Sequence, residues 1–311
     1  MAFNKRAYLS DEEEDTKKVS ISYWAKEDAV CPACKNTFRR EVMHQGGGRM
    51  IAGELTDELH RTYEPSKKYG VVYPLIYEVG CCPHCNTAFF WKDFKDIKDT
   101  KSLDRIFQDK KRRTAEVETI FPHFNLSQQR TLYDGTAMYY MALLCYEKVD
   151  IVYAPTFKRG EICLRLAWLC EEIHKLCPNR NFDYIAQVFY RKALFFYQQT
   201  LINESGGIET IGSVSNFGPD TDKNYGYDGV IYLSGLLEFK YGQTEDRELR
   251  LKKLEQGKKA IAKLFGFGKS SKEKPGPLLE SARKIYDKMS EELSSNNIFD
   301  DDDEDDEEGG K

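Results

Sequence analysis

The chain has no run approaching the ~18 apolar residues that a membrane-spanning helix needs. Its first residues, MAFNKRAYLSDEEEDTKK, carry acids and lysines where a secretion signal carries an apolar stretch. Both absences predict a cytoplasmic protein with no membrane role. Catalytic signatures are also missing: no nucleophile elbow and no pair of carboxylates spaced for acid and base work stands out. Of two phosphate-loop lookalikes, Gly268-Lys269-Ser270 has Lys263 where the motif requires its first glycine and follows a helical segment instead of a strand, and Gly46 to Arg49 reads as a hairpin turn, with an anion on its backbone amides as the alternative. These absences predict a protein that is not an enzyme.

What is present predicts a folded chain. Of 311 residues 41% are hydrophobic and 13% aromatic, enough to bury a sizeable core in one large or two smaller domains. The formal charge at pH 7 is −5, yet Asp300 to Glu308 is an unbroken run of nine acids, so the remainder of the chain carries +4. Such a run repels itself and buries nothing, so 296–311 reads as a disordered, solubilising tail. A docking tail, or a mimic of nucleic acid that competes for a basic face, is the alternative. Residues 1–20 are polar and read as a flexible N-terminus.

Nine cysteines in a chain with no secretion signal are expected to be thiols or metal ligands, not disulfides. Two stretches repeat one form: AVCPACKNTF (Ala29 to Phe38) and GCCPHCNTAFF (Gly80 to Phe90). Each holds Cys-Pro-x-Cys, a short polar turn and a Phe. Paired C-x-x-C turns let four thiolates reach one ion, which predicts a structural zinc site on Cys31, Cys34, Cys82 and Cys85. Iron fits the same ligands. Cys81 is the spare: the match of Pro32 with Pro83 selects Cys82, and on an extended strand Cys81 points the other way. Four thiolates leave no vacancy for His44 or His84, or for substrate. A second cysteine stripe, Cys163, Cys170, His174 and Cys177, shares one helical face and reads as buried thiols in a seam between helices.

Around the first set, 21–95 reads as a strand-rich zinc-knuckle domain, with Gly46 to Arg49 as a hairpin turn and one short helix over Leu55 to Pro65. A charged connector follows over 96–125. Its DKKRRTAEVE stretch (Asp109 to Glu118) reads as a solvated linker. From 126 to 295 the period becomes helical, about six helices. Leu132, Thr136, Tyr139, Leu143 and Tyr146 make the first stripe, behind Ser127 as cap. Small residues mark close crossings, Ala167 with Ala193 and Gly235 with Ala260, the pattern of degenerate or elongated tetratricopeptide-type repeats, with an ordinary helical bundle as the alternative. The fold class is therefore α+β, a zinc-ribbon-like domain followed by an all-α repeat-like domain. The helical half is expected to stand without the metal.

Taken together, the Cys-Pro-x-Cys units, the segment YPLIYEVGCCPHCNTAFFWKDF (Tyr73 to Phe94) and the helical pieces RLAWL and YRKALFFYQ resemble an uncharacterised bacterial family, domain of unknown function 2225. The resemblance covers about residues 25 to 260. It implies a zinc-knuckle module fused to tetratricopeptide-like helices in bacterial cytoplasm, with no established activity. The chain departs from that pattern in its acidic tail, and in Asn36 and Asn86 where glycine often follows a knuckle. The resulting expectation is a protein–protein interaction scaffold whose helices present an aromatic groove to a protein or peptide. The alternative is a nucleic-acid-binding protein that uses Arg39, Arg40, Arg49 and Arg61 on one exposed face.

Overall fold

The computed structural model describes residues 20–265 and the backbone of 275–304, with side chains described to residue 295. The expected flexible start and the Gly268 lookalike lie outside these residues, as does the end of the acidic tail.

Strands are confined to the first part and pair only in twos. β1 (Ser22–Trp24) lies antiparallel to β4 (Glu41–Met43), and β2 (Ala29–Val30) to β3 (Thr37–Phe38). β5 (Ile51–Leu55) pairs with β6 (Arg61–Glu64), and β7 (Val79–Cys81) with β8 (Ala88–Phe90). Gly46 to Gly48 turn the chain with positive φ, but the strands on either side, β4 and β5, do not pair with each other. The helix expected over Leu55 to Pro65 is absent. In its place Thr56 N donates to His60 O (2.8 Å) and Leu59 N to Thr56 O (3.0 Å), closing the β5–β6 hairpin. Leu59, at φ 60°, is fully buried. The four-residue spacing of Leu55 and Leu59 reflects a hairpin whose tip is drawn into the core, not a helical stripe.

The connector is helical. α1 (Asp93–Asp96) is followed by α2 (Thr100–Gln108), capped by the Asp99 carboxylate on Ser102 N, and by α3 (Lys110–Ile120). DKKRRTAEVE is thus α3, and its Arg113 is fully buried, so this stretch is not a solvated linker. Then come α4 (Leu132–Tyr146), α5 (Pro155–Leu176), α6 (Phe182–Ser205), α7 (Gly226–Tyr241), α8 (Arg247–Ala262) and α9 (Gly276–Glu304), each packed on its neighbour in sequence. α4 is capped by Thr131, whose hydroxyl accepts from Asp134 N at 3.1 Å, and not by Ser127.

Every residue of α4 is buried. A helix apolar all round must be covered all round, and here helices supply only part of the cover: α5 and α3 take some faces, β7 and β8 another. Gly135 allows this approach, since a Cβ there would stand 2.4 Å from Ile76 Cβ. One continuous core therefore runs from Cys31 in the first knuckle to Met289 in α9. That packing joins the two parts that the sequence pattern separates, and it makes one cooperative unit the expectation. At the expected close crossings Ala167 and Ala193 are buried. On α7 and α8, however, Gly235 meets Ile261 and lies beside Gly257, while Ala260 is half-exposed.

Candidate metal centre

Each Cys-Pro-x-Cys turn leaves a strand and folds back through one left-handed residue. In the first, Cys31 N donates to Asn36 O (3.0 Å) and Lys35 N to Cys31 O (3.0 Å). In the second, Cys82 N donates to Thr87 O (2.9 Å) and Asn86 N to Cys82 O (2.8 Å). Lys35 (φ 63°) and Asn86 (φ 56°) are thus equivalent, and Asn36 is not the glycine-like position. Asn36 instead directs its side-chain amide at Cys34 Sγ, 3.5 Å away.

The two turns face each other. Ligand atoms of Cys31, Cys34, Cys82 and Cys85 lie within 4.8 Å of one another, with Cys31 and Cys85 Sγ 3.5 Å apart and Cys34 and Cys82 Sγ 3.6 Å apart. A tetrahedral ion with metal–sulfur bonds of about 2.3 Å needs sulfurs roughly 3.8 Å apart, so the donor set fits a thiolate-bound metal. Three of the four cysteines are buried and Cys34 is half-buried. Hydrogen bonds from the Cys31 and Cys82 thiols hold Cys85 far below the ordinary thiol range, while bonds to Cys31 and Cys85 push Cys82 up. Four thiolates in so small a volume would need a cation to offset their charge, and shared thiol protons do so without one.

Cys81 lies opposite Ala88 in the β7–β8 pair and outside the cluster. Burial raises its thiol well above the usual range, and Cys145 of α4 is its charged-form neighbour. Neither histidine belongs to the cluster. His84 is exposed, with Nε2 3.3 Å from Thr37 O, and His44 stacks on Tyr23. The second stripe stays apart from any ligand set: Cys163 and Cys170 are buried, and His174 Nδ1 lies 3.5 Å from the Asp183 carboxylate.

A second layer comes from α3, which the sequence reading left in solvent. The buried Arg113 donates through Nη2 to the carbonyls of Cys85 (3.3 Å) and Asn86 (3.4 Å), and its Nη1 donates to Ile106 O. Lys110 Nζ donates to His84 O (2.6 Å), and Asn86 Nδ2 to Thr114 Oγ1 (2.7 Å). From α4, Cys145 Sγ accepts from Ala88 N at 3.3 Å. These contacts fix the second knuckle's backbone, as outer-shell groups do around metal ligands. The detectable signal was Val117, four residues after Arg113 and also fully buried, which puts both on one helix face.

Of the four arginines of the nucleic-acid reading, one is exposed and three are half-buried. Arg39 is exposed and stacks on Trp24, Arg40 stacks on Trp91 and Arg49 on Tyr69, while Arg61 bonds Asp222 and Gly53 O. Trp168 of α5, Tyr190 of α6 and Tyr232 and Tyr241 of α7 make an aromatic surface on the helices. What it holds is the chain's own β5–β6 turn. Glu58, 5% exposed, accepts from Trp168 Nε1 (2.5 Å), Tyr190 OH (3.3 Å), Lys240 Nζ (2.6 Å) and Tyr241 OH (2.9 Å). His60 stacks on Trp168 at 4.2 Å and bonds Asp220, and Tyr232 OH donates to Asp57 O.

Comparison with known proteins finds relatives without a described activity. A family model described as "Uncharacterized protein conserved in bacteria (DUF2225)" matches residues 24–289. A protein of Borreliella burgdorferi, itself called only "Uncharacterized protein", is 41% identical over 276 residues, spanning 88% of this chain and 98% of the relative. No solved structure matches.

Proposed function

Since the chain belongs to the family of uncharacterized proteins conserved in bacteria described as DUF2225, which brings no activity with it, we propose from its own residues a non-enzymatic, zinc-binding interaction scaffold. Zinc on Cys31, Cys34, Cys82 and Cys85 is structural in this reading, because four thiolates fill a tetrahedral ion and leave it no position for substrate. Interaction falls to the helices, and the observation that carries this is the outward face of α6. Tyr184, Phe195 and Ile202 are 69%, 57% and 58% exposed. They stand about three and two helical turns apart, so all three lie on one side. Large apolar side chains aligned on an open helix face mark a docking surface. The aromatic groove itself is not available to a peptide while Glu58 and His60 fill it. A protein partner therefore meets α6.

The test is affinity purification of the tagged full chain from its host beside a Tyr184→Ser/Ile202→Ser variant of unchanged melting temperature. The reading expects a protein recovered with the parent and lost with the variant. Recovery of the same proteins with both excludes the α6 face. Recovery of nucleic acid in their place returns the role to the zinc module.

A further inference from the structure

Beside the α6 stripe lies a cleft of about 550 Å³ between α4, α5 and α6. Its apolar lining includes Leu143 and Leu144 of α4 and Val188 and Phe196 of α6. Its cations are Arg159 of α5 with Arg191 and Lys192 of α6. Among the described residues none of the three has a hydrogen-bond or ion-pair partner. Arg191 and Lys192 are exposed, where this costs little. Arg159 differs: its guanidinium is half-buried, stacked 4.2 Å over Phe196, and its Nε is shut off from solvent with nothing to donate to. An Nε–H shut off from water with no acceptor is costly. The two carboxylates at the rim are already engaged, Glu116 by Arg112 and Tyr140, and Glu147 by Arg112 and Lys148. The cleft is therefore positive, with an apolar floor.

Its complement is a segment with apolar residues next to acids, and this chain has one: Ile298 and Phe299 run directly into the acids Asp300 to Glu308. The same molecule is poorly placed to deliver it. α9 packs on α7 and α8, whereas α4, α5 and α6 form the cleft. From Leu293, the last core-facing residue of α9 among those whose side chains are described, the helix backbone continues to Glu304, about 16 Å at about 1.5 Å per residue. We propose that the C-terminal segment Ile298–Glu308 of a second copy docks in the cleft, with its carboxylates on Arg159, Arg191 and Lys192. This rests on the interaction reading above and adds to it the chemistry of one occupant. Each copy then offers one tail and one cleft, so either a reciprocal pair or a chain of copies satisfies both.

Sedimentation of the full chain in low and high salt tests it. The expected result is self-association that weakens at least about tenfold as salt screens the ion pairs. A chain lacking residues 297–311 and an Arg191→Glu/Lys192→Glu variant, whose two positions are exposed, should each be monomeric alone, with melting temperatures checked against the parent. Mixed, they should associate one-to-one, because each supplies the half the other lacks. Adding Arg159→Gln to the cleft variant should not restore association. A full chain that stays monomeric in low salt overturns the proposal, as does a mixture that fails to associate. A third outcome also refutes the second copy: a monomeric full chain whose truncated form binds a labelled peptide of residues 296–311 places the tail in its own cleft. None of these outcomes touches the α6 reading, which is measured at Tyr184 and Ile202.

Discussion

Replacing Glu58 by Gln removes one negative charge from a site with four donors and leaves its shape intact. The carboxylate takes Trp168 Nε1–H and Tyr190 OH on one oxygen, and Lys240 and Tyr241 OH on the other. Whichever way the amide turns, its NH2 faces donors. Phenol hydroxyls can rotate to accept, but the indole N–H and the ammonium cannot. Hydrogen bonds to a charged group are worth about 1.5–3 kcal/mol each, and breaking a buried ion pair costs about 3–5 kcal/mol. Lys240 keeps about a third of its side chain in water (30% exposed), so its share is discounted for screening. With the two phenols able to turn and the ammonium discounted, the indole N–H and part of the ion pair remain, a loss of about 3 kcal/mol. For a domain of this size that lowers the melting temperature by roughly 6–12 °C.

Thermal unfolding followed by circular dichroism reads the loss. Hydrogen exchange reads where it falls, because the β5–β6 amides should lose protection before those of α4. Tryptophan fluorescence adds a local signal from Trp168. A drop below about 2 °C, with the hairpin still protected, would mean that the stacking of His60 and the burial of Leu59 hold the tip and that the carboxylate is incidental.

Three further outcomes are expected. Purified protein should carry one zinc per chain, lost in Cys34→Ser/Cys85→Ser and kept in Cys81→Ser, and chelation should melt strands and helices in one transition; helical circular dichroism that survives chelation refutes the shared core. Gly135→Ala puts a methyl 2.4 Å from Ile76 Cβ and should cost about 1–3 kcal/mol by denaturant titration, with an unchanged midpoint showing that the Pro74–Tyr77 turn yields freely. Lys35 sits left-handed at φ 63°, so Lys35→Gly should leave stability unchanged or raise it by up to about 1 kcal/mol, while Lys35→Val lowers it by about 1–2 kcal/mol; the opposite order would show that the knuckle does not depend on this backbone conformation.

The parts of the fold legible in the sequence were those decided within a few residues of chain. A C-x-x-C turn is local, so the spacing of Cys31 with Cys34 and of Cys82 with Cys85 already carried the four-thiol cluster, and the proline match separated Cys82 from Cys81. Helical period is local too, and α4 to α8 lie near where their stripes put them. What escaped depends on partners far along the chain. Leu59 ends in the core because three helices receive the hairpin tip. Arg113 is buried because the carbonyls of Cys85 and Asn86 accept from it, and nothing in a run of cations announces distant acceptors. Glu58 looked like any surface acid, since its four donors lie more than a hundred residues away. The second helical crossing was misjudged in detail for the same reason: Gly235 was found, but the residue it meets is Ile261.

These distant contacts give the cysteine cluster a role beyond joining two turns. Cys34 and Cys82 are 48 residues apart, and the chain between them runs out as β5–β6, plants Glu58 and His60 among α5, α6 and α7, and returns. A metal joining the two knuckles would close that excursion into a loop. By the chain-entropy estimate for a cross-link of this length, closure removes about 4 kcal/mol of freedom from the unfolded chain, on top of the ligand bonds themselves. The hairpin is thereby tied at its base by the cysteines and at its tip by the Glu58 carboxylate. Loosening either end should loosen the other. On this reasoning, metal loss should reduce hydrogen-exchange protection at Leu59 and His60 as well as around Cys31 to Cys34. Protection lost only around the cysteines would show that the tip is held by the helices alone, and that the two anchors act independently.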